Sequence, residues 1–436
     1  MYALKSPDTP TFAVPEPNLV PVSNHLKEMV SIPPSRMFLI KKSLRVFREK
    51  YPDRPVYDAS QGDGGASLPG VPREILERAA ELQFEHGTAY DMPFGTDEFR
   101  RIVLEKYWQL DSDLGIAPAN VVGTAGGRDA LVKAYQAMLS LGHGRQGDVI
   151  VVSRVPWISY NWGPYGIGAN VLWAPGRAEE SWAYSEQSIQ TSVEFAARSG
   201  RKVAALVITN PDNPTGRTMP VEEQVSLARA ALQAGVAYVL FDWMYHYVTD
   251  EEPMNLNSFL RQFEPAERQR LIFLDGLTKS LGASNIRSCH LIAPDEIAKF
   301  IVARASHSVM PTYYGLAVAM AAYEMGYDKA SRTIVEPTNA SRKALREFLE
   351  ANDFTYILGK GYYAFIHTGS WLQRQGWQDT VPLGQYLAEE FGVAVVPGAF
   401  FSPYGGEWVR FSYATPAERT LGAAQRLLEG LKQLEG

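Results

Sequence analysis

The 436-residue chain is 46% hydrophobic and 21% charged, which excludes collagenous and disordered polymers and supplies a sizeable core over the length of two or three ordinary domains. Its 42 basic and 48 acidic side chains leave a net charge of −6, so there is no electrostatic footprint for nucleic acid or an anionic membrane. The one cysteine, Cys289, cannot close an internal disulfide, which excludes a stapled secreted scaffold and points to a reducing, cytoplasmic setting.

The first residues, MYALKSPDTPTFAVPEP, are proline-rich and polar and lack the basic start and apolar stretch of a signal peptide. Residues 1–25 therefore read as a mobile N-terminal arm. A helix follows over MFLIKKSLRVFREKY, within 25–60. Six apolar segments then read as strands: 120–125, 147–153, 171–175, 203–210, 237–242 and 270–276. Between them lie amphipathic patterns such as DALVKAYQAMLSLG and EEQVSLARAALQAG, each closed by a glycine suited to a helix C-terminus. Strands apolar along their whole length belong to a mostly parallel sheet covered on both faces. From 335 onward, long amphipathic helices surround further strands at 362–368, 392–398 and 407–414. The predicted fold is α/β, a mostly parallel central sheet sandwiched by helices, with a smaller α/β domain built from both chain ends. The expected division is an arm at 1–25, a large domain at 76–325, and a small domain at 26–75 plus 326–436. No apolar run reaches the roughly 20 residues of a membrane span. The seven histidines show no metal-ligand spacing, so no metal is expected.

In such sheets, ligands bind beyond the carboxyl ends of the strands, and the residues there carry the chemistry. After the first strand, TAGGRDAL runs straight into a helix. Its two glycines suit either an anion site on free backbone N–H groups or a plain tight turn. Trp157 follows the second strand, as a stacking platform for a planar ligand or as a packing residue. NPDNPTG follows the fourth strand and projects Asn213 or simply turns. The fifth strand ends in Asp242-Trp243-Met244-Tyr245, with a carboxylate suited to a helix cap or to a buried cation. The sixth leads to Leu277-Thr278-Lys279, with Arg287 eight residues beyond the lysine.

In this order and spacing, the set resembles the class I aminotransferases, pyridoxal-phosphate enzymes of the aspartate aminotransferase fold (fold type I). The resemblance runs from PPSRMFLI at 33–40 to VRFSYAT at 409–415. It includes ASQGDGG, the Tyr90-to-Arg100 segment Y-x-x-x-x-G-x-x-x-x-R, TAGGRDAL, PWISY, NPDNPTG, D-x-x-Y, T-K and VAVVPG. It implies pyridoxal 5′-phosphate as cofactor, an electron sink that the protein holds and tunes. Lys279 would be the Schiff-base lysine and the proton carrier at Cα. Asp242 would pair with the ring N–H, Asn213 and Tyr245 would donate to the ring oxygen, and Trp157 would stack on the ring. The phosphate would sit on the helix start at Gly126, Gly127 and Arg128, with Thr278, Arg287 and Tyr90 of a neighbouring subunit as partners. Arg410 would clamp the substrate α-carboxylate with help from Asn213 and Gly62. The implied reaction moves an amino group from an L-amino acid to a 2-oxo acid in a homodimer with shared sites. The alternative is another Cα-deprotonating enzyme of the same fold: a lyase, a cyclopropane-forming synthase or an oxidative deaminase.

The chain departs from the family pattern in three places. Gly276 stands where many relatives have a serine that reaches the phosphate, a role Thr278 is placed to take over. Arg287-Ser288-Cys289 replaces the usual R-x-G. The segment in which dicarboxylate-specific relatives carry a partner-subunit arginine has Ala305 at the matching position, with Arg304 beside it. Arg128 is open to three roles: a reader of a distal carboxylate, a phosphate partner, or a member of a surface ion pair. Tyr313 and Tyr314 suit an apolar or aromatic side chain instead.

Overall fold

The computed structural model describes residues 5–13, 32 and 36–435. Two short strands, β1 (Thr11–Phe12) and β2 (Tyr57–Asp58), precede the main series. The six predicted central strands follow as β3 (Val121–Thr124), β4 (Val149–Val152), β5 (Asn170–Trp173), β6 (Val203–Thr209), β7 (Tyr238–Asp242) and β8 (Leu271–Gly276), each buried at every position. The remaining strands are β9 (Cys289–Ile292), β10 (Tyr356–Leu358), β11 (Tyr363–His367), β12 (Val393–Ala394), β13 (Val396–Pro397) and β14 (Trp408–Ser412).

The large sheet has the order β1-β5-β4-β6-β7-β8-β9-β3. Pairing is parallel from β5 through β8, and β9 runs antiparallel to both of its neighbours, so β3 points the same way as β8. Successive side chains of a strand enter opposite layers. Val239 and Phe241 of β7 pack into one core, and Tyr238 and Leu240 into the other. Full burial of a side chain such as Phe241 contributes about 1.5–3 kcal/mol, which is why these segments read as continuous apolar runs. Helices Gly127–Gly142 and Val221–Gln233 supply part of the covering layers, as their periodicity predicts.

A second, antiparallel sheet has the order β10-β11-β14-β13. Helices Tyr327–Ala351, Thr380–Phe391 and Ala417–Gln433 contribute Leu345, Leu387 and Leu427 to a separate core beside it. Sequence-distant segments meet here. The predicted helix forms as Met37–Lys50 and packs on Thr380–Phe391, while β2 pairs in parallel with β12. Gly326, at φ +91°, separates helices Tyr313–Met325 and Tyr327–Ala351.

Three expectations are corrected. Residues 5–13 of the arm are held in place: Thr11 pairs with Trp173 and Phe12 with Leu172 at the sheet edge. The buried Arg154 donates to the carbonyls of Thr9 at 2.6 Å and Ser6 at 2.9 Å. Residues 14–25 of that arm lie outside the described residues. Strands β1, β2, β9 and β10 were not expected, because such short pieces carry too little periodicity to register. The single strand expected at 392–398 is two short ones, β12 and β13, in different sheets.

Candidate active site

Parallel pairing brings the strand ends to one edge. Thr209, the last residue of β6, lies in register with Asp242, the last of β7, and Asp242 with Leu274 of β8. Chain segments that are remote in sequence therefore deliver Asn213, Asp242, Lys279 and the Gly126-Gly127 turn to the same side.

Asp242 is 5% exposed. Its Oδ2 accepts a hydrogen bond from the Tyr160 hydroxyl at 2.5 Å, and its Oδ1 accepts from the Met244 amide at 3.1 Å. Thr209 Oγ1 in turn donates to the Tyr160 oxygen at 2.9 Å. Loss of solvent pushes the Asp242 carboxyl up to about 6 despite these donors. No cation is bonded to it among the described residues. A buried carboxylate without an ion pair is costly to keep, and a cationic ring N–H would complete it.

Lys279 stands on the one-turn helix Leu277–Ser280 directly after β8. Its Nζ donates to the Gly62 carbonyl at 2.5 Å and lies 5.6 Å from the centre of the Tyr245 ring. The buried Tyr245 hydroxyl is 3.0 Å from that of Tyr363. Arg410, 4% exposed on β14, donates to Asn213 Oδ1 and to the Ser60 carbonyl, each at 2.8 Å. Its Nε has no partner, and among the described residues no carboxylate pairs with it. A buried guanidinium without a counter-charge is destabilising by several kcal/mol, and an anion held there would offset that cost.

A further group of donors gathers at the Gly126-Gly127 turn on this same edge. Gly126 adopts φ +89° and caps helix Gly127–Gly142, whose first amides have no intrahelical acceptor. A Cβ on Gly126 would lie 2.2–2.8 Å from atoms of the Arg287 guanidinium, which therefore lies directly over the turn. Helix-start amides plus a guanidinium could hold a phosphate-type anion.

The family model for aminotransferase class I and II matches residues 59–427. The chain belongs to this family. The aspartate aminotransferase of Bacillus subtilis (strain 168) is 25% identical over 372 residues, covering 83% of this chain and 89% of that protein. The aspartate/prephenate aminotransferase of Thermus thermophilus is 26% identical over 362 residues, covering 82% and 86%. A solved structure of the Thermus thermophilus aspartate aminotransferase with maleate superimposes with a TM-score of 0.76 at 25% identity, over 94% of this chain and 100% of that one. The fold is that of the aspartate aminotransferases, and the protein is a transaminase, which transfers an amino group.

In this aminotransferase, Trp157 is half-buried, with its ring edge-on to Tyr160 at 5.4 Å, and Arg128 lies over it at 5.7 Å. Tyr90 is 96% exposed, outside the buried cluster of its own chain. Arg304 is engaged by its own helix, with its guanidinium 3.5 Å from the centre of the Phe300 ring.

Two of the sequence departures prove to be one. Gly276 and Cys289 are register partners on β8 and β9. A Cβ on Gly276 would sit 2.6 Å from both the Cα and Sγ of Cys289. The bulk absent at 276 is present across the pair at 289, where Sγ lies 3.5 Å from Thr278 Oγ1. Burial pushes this thiol up to about 12, so it stays neutral. Sequence reasoning missed Tyr160 and Tyr363 as site residues. Tyr160 closes the PWISY motif, three residues after Trp157. Tyr363 carries no signal beyond a pair of tyrosines in a predicted strand.

Proposed function

We propose that this aminotransferase holds pyridoxal 5′-phosphate between Asp242, Lys279 and the Gly126-Gly127-Arg128 turn, and that its substrates are L-amino acids and 2-oxo acids. When bound, that cofactor supplies an aldehyde and an electron-withdrawing ring that makes the amino acid Cα–H acidic. The observation that carries the reading is the pair of incomplete buried charges: an aspartate lacking a cation, and Arg410 lacking an anion. Asp242 keeps a proton on the ring nitrogen. Asn213 and Tyr245 donate to the ring oxygen. Trp157 supports the ring face. Arg287 and Thr278 join the helix-start amides at the phosphate. Lys279 provides the tethering amine and, once released, the base at Cα. Arg410, held flat by Asn213 and the Ser60 carbonyl, orients the α-carboxylate, with the backbone at Gly62 alongside.

Arg128 is exposed beside Trp157 and makes no ion pair among the described residues. With relatives named for aspartate, this supports a role in reading an acidic side chain. Tyr90, with the exposed Phe84 and Met92 of the same stretch, supports a homodimer in which Tyr90 completes the partner's phosphate site. The lone, buried cysteine supports a cytoplasmic setting, and no helix among the described residues is long and apolar enough to cross a membrane.

The test is a half-reaction screen. Each amino acid is added, without oxo acid, to protein loaded with pyridoxal phosphate, and the visible band is followed. Conversion of the band without ammonia release, strongest with aspartate or glutamate and weakened for those two in Arg128→Ala, is the expected result. Lys279→Ala should show neither the tethered band nor turnover. Ammonia release without an oxo acid would move the protein to the elimination or deamination class, and an active Lys279→Ala would remove the lysine from its role.

A further inference from the structure

Tyr363 opens β11, next to the strand that carries Arg410. Phe365 is opposite Arg410 and Tyr363 is opposite Ser412, so Tyr363 is the diagonal neighbour of Arg410 on one face of the sheet. The placement brings the tyrosine ring against the guanidinium, 4.2 Å from Cζ to ring centre. The ring then extends across Gly62, where a Cβ would sit 1.9 Å from the Tyr363 hydroxyl. Only glycine leaves that path open. At its end the hydroxyl meets that of Tyr245 at 3.0 Å. One buried side chain thus touches the anion clamp with its face and the ring-oxygen donor with its tip.

Each phenol has one proton to give. If Tyr245 donated to Tyr363, nothing would remain for a ligand oxygen on its other side. If Tyr363 donates, the Tyr245 oxygen accepts and its own proton is directed outward, and chained donors of this kind strengthen one another. Burial, with Tyr363 as the next contribution, holds the Tyr245 phenol well above its ordinary range, so it stays a donor.

We propose that Tyr363 is a positioning residue that commits the Tyr245 proton to the cofactor's ring oxygen while its ring supports the Arg410 clamp, an inference that rests on the cofactor assignment above. Stabilising the anionic ring oxygen lowers the pH at which the visible band of the loaded protein titrates. Tyr363→Phe keeps the ring and removes the donor, so the midpoint should rise by about half to one pH unit, the size of one neutral hydrogen bond. The KM for the amino acid should stay within roughly twofold. Tyr363→Leu also removes the ring and should raise that KM roughly tenfold.

The decisive experiment titrates the band in wild type, Tyr363→Phe, Tyr245→Phe and the double variant, with cofactor affinity measured by equilibrium dialysis. A shift in Tyr363→Phe that disappears in the Tyr245→Phe background supports the relay. An unmoved midpoint, or a shift that persists undiminished without the Tyr245 hydroxyl, overturns it. A wild-type protein that binds no pyridoxal phosphate would overturn the cofactor assignment, and this inference with it.

Discussion

Asp242→Asn should stabilise the cofactor-free protein at neutral pH while weakening cofactor binding. Burial raises the Asp242 carboxyl from 3.8 to about 6. At 1.36 kcal/mol per unit, that shift corresponds to roughly 3 kcal/mol of destabilisation once the group is ionised in both the folded and unfolded states. The sign follows from proton binding. Between about pH 4 and 6 the folded state holds more protons than the unfolded state, so stability falls as pH rises through that window and is flat above it. Asparagine cannot ionise, yet its carbonyl oxygen can still accept from Tyr160 or Met244. The variant should therefore gain up to roughly 3 kcal/mol at pH 7.5, about 3 °C in Tm for a chain of this length. The gain should shrink to nothing near pH 4. Asp212, half-buried and also raised to about 6, is common to both proteins and cancels. The assay is thermal unfolding of the cofactor-free proteins across pH 4–8, with cofactor affinity measured in parallel. A variant less stable at pH 7.5, or equally stabilised at pH 4 and 7.5, would refute ionisation as the cause.

Gly276→Ser should cost about 1–3 kcal/mol, because its Cβ would press on the Cys289 backbone and lie 2.7 Å from the Ser288 carbonyl. Cys289→Gly should not restore the lost stability fully, since the backbone contacts remain, and unchanged melting of Gly276→Ser would contradict the close approach. Arg154→Met removes two hydrogen bonds to residues 6 and 9 and the stacking on Tyr404, where Cζ lies 3.8 Å from the ring centre. Limited proteolysis should then cut within residues 5–13 faster while the body of the protein survives. An unchanged cleavage rate would show that the remaining contacts, among them β1 pairing and the Arg177–Asp8 ion pair, hold the segment.

The six central strands and the residue types at their ends were legible because both signals are local. An apolar run records burial on two faces, and Asp242 or Lys279 announces itself by the strand just before it. Strand β9 was not legible: CHLI is short, and its histidine interrupts the apolar run that would mark it. Its antiparallel insertion between β8 and β3 is what places Cys289 opposite Gly276, so two departures thirteen residues apart in the chain looked independent. Arm docking was hidden for a related reason, since nothing near Arg154 in sequence shows that its guanidinium meets the Ser6 and Thr9 carbonyls.

The α/β class, the order of the strands and the type of residue at each strand end follow from the sequence alone, because periodicity and turn chemistry act over a few residues. Which of those residues touch was decided by the tertiary structure. Arg410 and Asn213 are 197 residues apart and share a hydrogen bond. Tyr363 and Tyr245 are 118 apart and share another. Burial without a counter-charge, on which the proposed ligand roles of Asp242 and Arg410 rest, exists only once distant segments have removed water from both.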